Sequence, residues 1–154
     1  DSFSPQITVD APILIPEAYV PDLSLRMGLY RRMNGLKTLA EIESFAAEMI
    51  DRFGDLPIQT DNLLKLMHIK MNCVNAQITK IEMGPRGALV SFHNDRFPNV
   101  PGLLDYVERL KGTARIRPDH KLFIERKWRD PKSRLHGLTQ LTTGLSKLAQ
   151  RVTA

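Results

Sequence analysis

The stretch TLAEIESFAAEMIDRFGDLP, residues 38–57, specifies the clearest structural element of the chain. Thr38 is a favourable N-cap, and Glu41 lies three residues later, which is the capping-box pattern. Gly54 provides a C-cap, and Pro57 prevents the helix from resuming. Between these limits the apolar residues recur at helical spacing and predict one buried face, made of Ile42, Phe45, Ala46, Met49, Ile50 and Phe53.

Two further helices are predicted on either side of this one. A first helix is expected over 22–33, with Asp22 as its N-cap and Gly35 just past its end. A third helix is expected from residue 60 or 61 to about residue 75, since apolar residues again recur at helical spacing. Three helices therefore follow one another along the chain before any strong strand signal.

The segment ahead of the first helix is predicted to be extended. Residues 6–9 and 12–15 are strand-like, and three prolines spaced along 12–21 exclude a helix there. The domain organisation expected is an extended lead-in at 1–21 followed by a single domain at 22–154. Because the chain opens without Met, it is interpreted as a fragment of something longer.

The remainder of the chain mixes strands and helices. In order, it predicts a strand pair at 78–83 and 88–92, a helix at 100–111, a second strand pair at 114–117 and 121–128, and a last helix capped by Ser133. The fold class expected is α+β, in which helices pack with small antiparallel β-hairpins in the order ααα-ββ-α-ββ-α.

Composition limits the class of protein. The 154 residues are 42% hydrophobic and 25% charged, which is typical of a globular domain. With Cys73 as the single cysteine, a disulfide framework is excluded and a reduced, cytoplasmic setting is expected. No apolar run approaches the roughly 20 residues that a membrane-spanning helix needs, and no signal peptide opens the chain.

The residues that usually carry chemistry form no recognisable constellation. The turn at 84–87 lacks the lysine and hydroxyl of a phosphate-binding loop. The four histidines are scattered rather than paired at metal-ligand spacing, and Cys73 lies in an apolar helix where a buried, inert thiol is expected. The domain is therefore predicted not to be an enzyme and to hold no metal or cofactor.

The polar side of the 38–57 helix allows two interpretations. Glu41, Ser44, Glu48 and Asp51 project opposite the apolar stripe. They can form a solvated face on which Glu48 pairs with Arg52 at i,i+4. Asp51, however, lies in the last turn, where the helix dipole disfavours negative charge by about 0.3–1 kcal/mol. An acid that costs local stability is also what a binding site for an external arginine requires.

A family resemblance rests on three stretches of this sequence. EMIDRFGDLP (48–57) and VPDLSLRMGLYRRM (20–33) closely resemble the C-terminal domain of bacterial transcription-repair coupling factor (Mfd), called the TRCF domain. ITVDAPILIPEAYVPD (7–22) is similar to the segment that joins that family's motor to this domain. The resemblance is most specific over 12–57, and after residue 84 it is mainly one of pattern.

The resemblance implies a function for the domain and for its parent. The parent is an ATP-driven DNA translocase that removes stalled RNA polymerase from damaged DNA and recruits repair proteins, with ATP and Mg bound in its motor. The domain is implied to pack on an N-terminal UvrB-like module, to mask the surface to which UvrA binds, and to restrain the motor. The residues that match the family's contact are Glu48 and Asp51, with Ser44 beside them.

The charge distribution supports an alternative, a nucleic-acid-binding module. Residues 1–114 carry a net charge of −2, whereas residues 115–154 carry +7. The basic residues at 115–134 that would contact phosphates are Arg115, Arg117, Lys121, Arg126, Lys127 and Arg129, of which Arg126, Lys127 and Arg129 are the closest together. No series of aromatic residues accompanies them, and a basic solvated surface also explains the pattern.

Overall fold

The computed structural model describes residues 3–151, which divide into two compact units. One unit comprises residues 11–71, and the other comprises residues 3–10 together with residues 72–151. Each is described separately below. No helix within 3–151 is long and apolar enough to cross a membrane.

The unit at 11–71 is helical. Its helices are α1 (Leu23–Asn34), α2 (Leu39–Phe53) and α3 (Ile58–Asn75), whose last residues belong to the other unit. The predicted capping box of α2 is confirmed: Thr38 Oγ1 accepts from the Glu41 backbone N–H, and Glu41 Oε1 accepts from the Thr38 N–H, both at 3.1 Å. The prediction that Asp22 caps α1 is also confirmed, with Oδ2 accepting from the Leu25 N–H at 2.9 Å.

Helix α3 begins earlier than the sequence predicts. Its first residue is Ile58, because the Pro57 carbonyl already accepts from the N–H groups of Thr60 and Asp61. The lead-in crosses the start of this helix without forming a strand over 12–15. It is held instead by hydrogen bonds in which Thr60 Oγ1 donates to the Leu14 carbonyl and Asn62 Nδ2 donates to the Pro12 carbonyl.

The core of this unit joins the lead-in to all three helices. Its buried members are Ile15, Val20, Leu29, Met33, Ile42, Phe45, Met49 and Leu64. Two tyrosine hydroxyls fix the lead-in further: Tyr30 accepts from the Ile15 N–H at 2.7 Å, and Tyr19 donates to the Gly54 carbonyl at 2.7 Å. The predicted buried stripe of α2 is confirmed at Ile42, Phe45 and Met49, but Ile50 is 45% exposed.

The second unit contains one five-stranded sheet and two helices. The strands are β1 (Gln6–Ile7), β2 (Ile78–Gly84), β3 (Gly87–Phe92), β4 (Ala114–Ile116) and β5 (Leu122–Glu125), arranged in the order β1-β2-β3-β5-β4. The helices are α4 (Val100–Arg109) and α5 (Pro131–Gln150), and a short 3-10 turn covers His93–Asp95. The predicted α+β class and element order are confirmed.

The two predicted hairpins do not stay separate. Strand β3 pairs antiparallel with β5, which joins the hairpins into one sheet, and β1 adds to β2 in parallel. Within β2 the pairing register shifts between Ile78 and Lys80, so that Ile78 and Ile81 are both buried although they are three residues apart. Such a shift is the effect of a β-bulge, which offsets the two-residue alternation of a strand.

The structure corrects three predicted limits in this unit. Strand β5 ends at Glu125 rather than Trp128, and α4 ends at Arg109 rather than Lys111. Ser133 does not cap the last helix, because α5 begins at Pro131 with Asp130 as its N-cap. Asp130 Oδ1 accepts from the Ser133 N–H at 2.7 Å, and proline is well suited to the first helical position because it has no N–H to satisfy.

Candidate protein-interaction site

The outer face of α2 holds the predicted site residues, and the fold assigns one of its acids a purely local role. Ile42, Phe45 and Met49 bury the opposite face of the helix and so fix its rotation. The Glu41 carboxylate accepts from the backbone N–H groups of Lys37 and Thr38 at 2.7 and 3.1 Å. Glu41 therefore satisfies the helix start, and Ser44, Glu48 and Asp51 remain for contact with a partner.

Glu48 is held by two arginines of the same unit. Arg32, near the end of α1, donates through both terminal nitrogens to the two Glu48 carboxylate oxygens, at 2.6 and 2.7 Å. Arg52 donates to Glu48 Oε2 at 2.9 Å, which confirms the predicted i,i+4 pair. Two parallel N–H···O bonds make the Arg32 pair the stronger of the two and fix the orientation of the carboxylate.

Both arginines lie against aromatic rings of α2. The Arg32 guanidinium carbon lies 5.0 Å from the centre of the Phe45 ring, and that of Arg52 lies 4.9 Å from the centre of the Phe53 ring. These distances allow cation–π attraction, which adds to the ion pairs. The Arg32 contact has no local signature in the sequence, because Arg32 and Glu48 are sixteen residues apart and on different helices.

The arginines change the acidity of Glu48. The hydrogen bonds from Arg32, then those from Arg52, lower the pKa of the Glu48 carboxyl to about 2. The same contact with Glu48 raises the pKa of Arg32. Glu48 therefore keeps its negative charge throughout the pH range in which proteins usually function.

We expect this shift to be measurable by carbon-detected NMR titration of the Glu48 carboxyl. Its midpoint should lie well below the usual glutamate value, and Arg32→Ala should return it toward that value more than Arg52→Ala does. Because the folded-state pKa is depressed, the pair stabilises the fold above the unfolded-state pKa and loses that effect as the pH falls through about 2. A normal midpoint in the unsubstituted chain would show that the ion pairs do not persist in solution.

Asp51 differs from Glu48 in having no partner among the residues that the structure describes. Its side chain is exposed in the last turn of α2, and it forms no hydrogen bond or ion pair with any residue from 3 to 151. No ion pair with a cation of the described chain compensates for its unfavourable place at the negative end of the helix dipole. The acidic face thus combines one carboxylate that is already bound by arginines with one that is unbound.

Two shallow cavities flank the Arg32–Glu48 pair. One, of about 290 Å³, includes Ser44, Ala40 and Glu48 along α2. The other, of about 580 Å³, opens beside Gly28 and is bordered by Arg31, Arg32 and Arg52. The surface around the Arg32–Glu48 pair therefore has both positively and negatively charged groups, with small residues between them. Such an arrangement suits contact with another folded protein.

Comparison with known proteins identifies the family at this point. Residues 9–103 match the family model described as the TRCF domain, a range that contains α1, α2 and all the residues of the acidic face. The chain belongs to the TRCF domain family.

The relatives of this TRCF domain are much longer proteins. A transcription-repair-coupling factor of Rickettsia conorii is 36% identical over 146 residues, covering 95% of this chain and 13% of the relative. One of Myxococcus xanthus is 31% identical over 118 residues, and one of Escherichia coli is 28% identical over the same number. The chain therefore spans 10–13% of the length of these three relatives.

A solved structure has the same fold as this TRCF domain. It is described as the C-terminal domain of transcription-repair coupling factor, and it superposes with a TM-score of 0.79 over 97% of this chain and 96% of its own. Sequence identity between the two is 18%, so the likeness concerns the fold.

Several basic residues at 115–129 of the TRCF domain already contact groups within the domain. Arg115 lies over the Phe123 ring at 4.7 Å, Arg117 pairs with Asp119 at 2.8 Å, and Arg126 donates to the Glu125 carbonyl. Lys127 and Arg129 are exposed in the loop after β5, where the strand alternation predicted through Trp128 has already ended. The nucleic-acid interpretation of this region stays a prediction.

Over 3–151, no group of three or more His, Cys, Asp or Glu side chains is placed to hold a metal ion. Cys73 is buried, as predicted.

Proposed function

We propose that this TRCF domain is a regulatory interaction domain of a transcription-coupled repair translocase. It packs on the N-terminal UvrB-like module of the parent, masks the surface to which UvrA binds, and restrains the motor. The observation that carries the proposal is the acidic face of α2, where Asp51 is exposed and unpaired among the described residues next to an oriented Glu48.

Asp51 is the primary acceptor in this proposal. A guanidinium from the module can form two hydrogen bonds with its carboxylate without displacing a partner in the described chain. The exposed acid has no competing cation there, so its charge is available to a positive partner. The isolated domain gains no stability from an acid at the C-terminal end of α2. Contact with a positively charged partner is therefore a reason for Asp51 to lie there.

Glu48 is a secondary acceptor with a limited capacity. A carboxylate offers about four lone-pair sites, and the arginines Arg32 and Arg52 fill three of them. An incoming donor can take the remaining site, or it can replace Arg52, which contributes a single bond. Arg32 fixes the side chain in one orientation, which reduces the entropy that Glu48 would lose on binding.

A contact of this kind suits a restraint that has to be released. Holding a closed state at 99% requires about 2.7 kcal/mol relative to the open state, which a few charge-assisted hydrogen bonds can supply. The apparent affinity of UvrA for a masked surface then falls in proportion to the open fraction, by about 100-fold. Engagement of the parent with RNA polymerase and DNA is the event proposed to open it.

The proposal is tested by deleting the domain from the full-length parent. Removal of residues 22–154 should raise the ATPase rate measured without RNA polymerase, and it should strengthen UvrA binding by up to about 100-fold. Both are measured against the intact parent at equal ATP and Mg²⁺ concentrations. If neither the ATPase rate nor UvrA binding changes, the domain is not a restraint.

A further inference from the structure

A second surface, separate from the acidic face, lies in the unit at 72–151 between α4 and α5. It is a cleft of about 310 Å³, bordered by residues within 106–110 at the end of α4 and within 144–151 at the end of α5. Gly144 borders open space in the cleft, because a Cβ atom built there would have no other atom within 4 Å. Leu110 and Leu148 form its apolar floor.

The rim of the cleft is strongly positive. Arg109, Lys147 and Arg151 border it, and all three are exposed. Lys147 and Arg151 have no ion pair or side-chain hydrogen bond with any residue that the structure describes. Arg109 has Asp105 at 3.3 Å, but both side chains are more than 60% exposed, so the pair contributes little and can be replaced by a better partner.

Tyr106 adds a hydrogen-bond donor at the edge of the floor. Its hydroxyl makes no hydrogen bond within residues 3–151. Burial raises the pKa of Tyr106 and outweighs the opposite effect of the Arg126 and Arg109 charges, so the phenol is protonated at neutral pH. A phenol O–H beside several cations is suited to binding a carboxylate.

We propose that this cleft binds an acidic segment of a partner protein, with one apolar side chain of the segment on the Leu110–Leu148 floor and its carboxylates on Arg109, Lys147 and Arg151. Charge complementarity selects an acidic partner, since three cations and no acid are among the described residues that line the cleft. The floor itself is aliphatic and Tyr106 is the one aromatic residue among those that line the cleft, so the cleft suits one apolar side chain better than a series of stacked nucleotide bases. The proposal is independent of the α2 contact.

The test uses the 154-residue chain and a fluorescein-labelled helical peptide that has one stripe of leucines flanked by glutamates. Fluorescence anisotropy should show saturable binding of this peptide. A peptide with glutamine in place of every glutamate should have an affinity at least about tenfold lower. Gly144→Leu should abolish peptide binding, because the leucine side chain would fill the cleft. The substitution should not destabilise the fold, because leucine has a higher helix propensity than glycine. Lys147→Glu should weaken binding about tenfold.

Lys132→Glu, at the opposite end of α5, is the matched control and should bind normally. Binding that is unchanged in Gly144→Leu, or equal for the glutamine peptide, would overturn the proposal. A single-stranded DNA oligonucleotide is tested in the same assay. If it binds more tightly than the acidic peptide, and Lys147→Glu abolishes that binding, the cleft is a nucleic-acid surface and the proposal is overturned.

Discussion

Asp51→Lys is expected to weaken binding of this TRCF domain to the UvrB-like module by about 2 kcal/mol or more, roughly 30-fold. The substitution replaces an acceptor for a guanidinium with a like charge, so an attraction becomes a repulsion. Folding should be unaffected, because Asp51 makes no hydrogen bond or ion pair in the chain as described. A lysine in the last helical turn is also favourable to the helix dipole.

The measurement is isothermal titration calorimetry with the separately produced module, alongside thermal unfolding of each variant. Glu108→Lys on α4 is the matched control, since it makes the same charge change at another exposed helical acid. It should bind as the unsubstituted chain does. Equal loss of affinity in both variants would mean that net charge, rather than the α2 face, governs the interaction.

Gly87→Ala is expected to destabilise the fold by about 3 kcal/mol or more. Gly87 has φ of +145°, in the region that residues with a side chain rarely adopt. An added Cβ would lie 1.9 Å from the Ile124 carbonyl oxygen and 2.9 Å from the Arg126 nitrogen. These are backbone atoms of the neighbouring chain segment at the β3–β5 pairing, so no side chain can rotate away to relieve the overlap.

Urea unfolding followed by circular dichroism measures this effect. Gly84→Ala, at the other end of the same turn, is the control, because a Cβ there meets nothing within 4 Å. Its midpoint should stay close to that of the unsubstituted chain, whereas the midpoint of Gly87→Ala should fall by more than 1 M, given a slope of about 1–3 kcal/mol per M. Similar midpoints for the two variants would contradict the β3–β5 pairing described above.

The elements that the sequence predicted well are those specified by local hydrogen bonds. Thr38 and Glu41 are close enough in sequence to cap α2 whatever surrounds the helix, and Asp22 does the same for α1. Gly54 and Pro57 end α2 for reasons of backbone geometry alone. The rotation of the helix, and so the outward position of Ser44, Glu48 and Asp51, followed from its apolar stripe.

The features that the sequence did not reveal depend on contacts between distant residues. The Arg32–Glu48 pair joins two helices, and the β3–β5 ladder joins two hairpins, so neither has a signature in a short window. The predicted cap of the last helix, Ser133, lies three residues past the observed one. Asp130 is the cap because Pro131 can occupy the first helical position, and its carboxylate accepts the Ser133 N–H.

The acidic face itself was predicted only in part. From the sequence alone, Glu48 and Asp51 are predicted to lie one helical turn apart and to be equivalent acceptors. The structure distinguishes them, since arginines of the same unit occupy Glu48 while Asp51 is unpaired in the region described. Asp51→Lys is therefore a cleaner probe than Glu48→Lys, which would also leave Arg32 and Arg52 without their acceptor.

Whether α2 carries the contact with the UvrB-like module is tested by the affinity of the 154-residue chain for the isolated module, measured by calorimetry at low and at physiological salt. We predict saturable one-to-one binding that weakens as salt increases and is lost when Glu48→Lys and Asp51→Lys are combined in a folded chain. Absence of binding at either salt concentration, or undiminished binding by the double variant, would contradict the account.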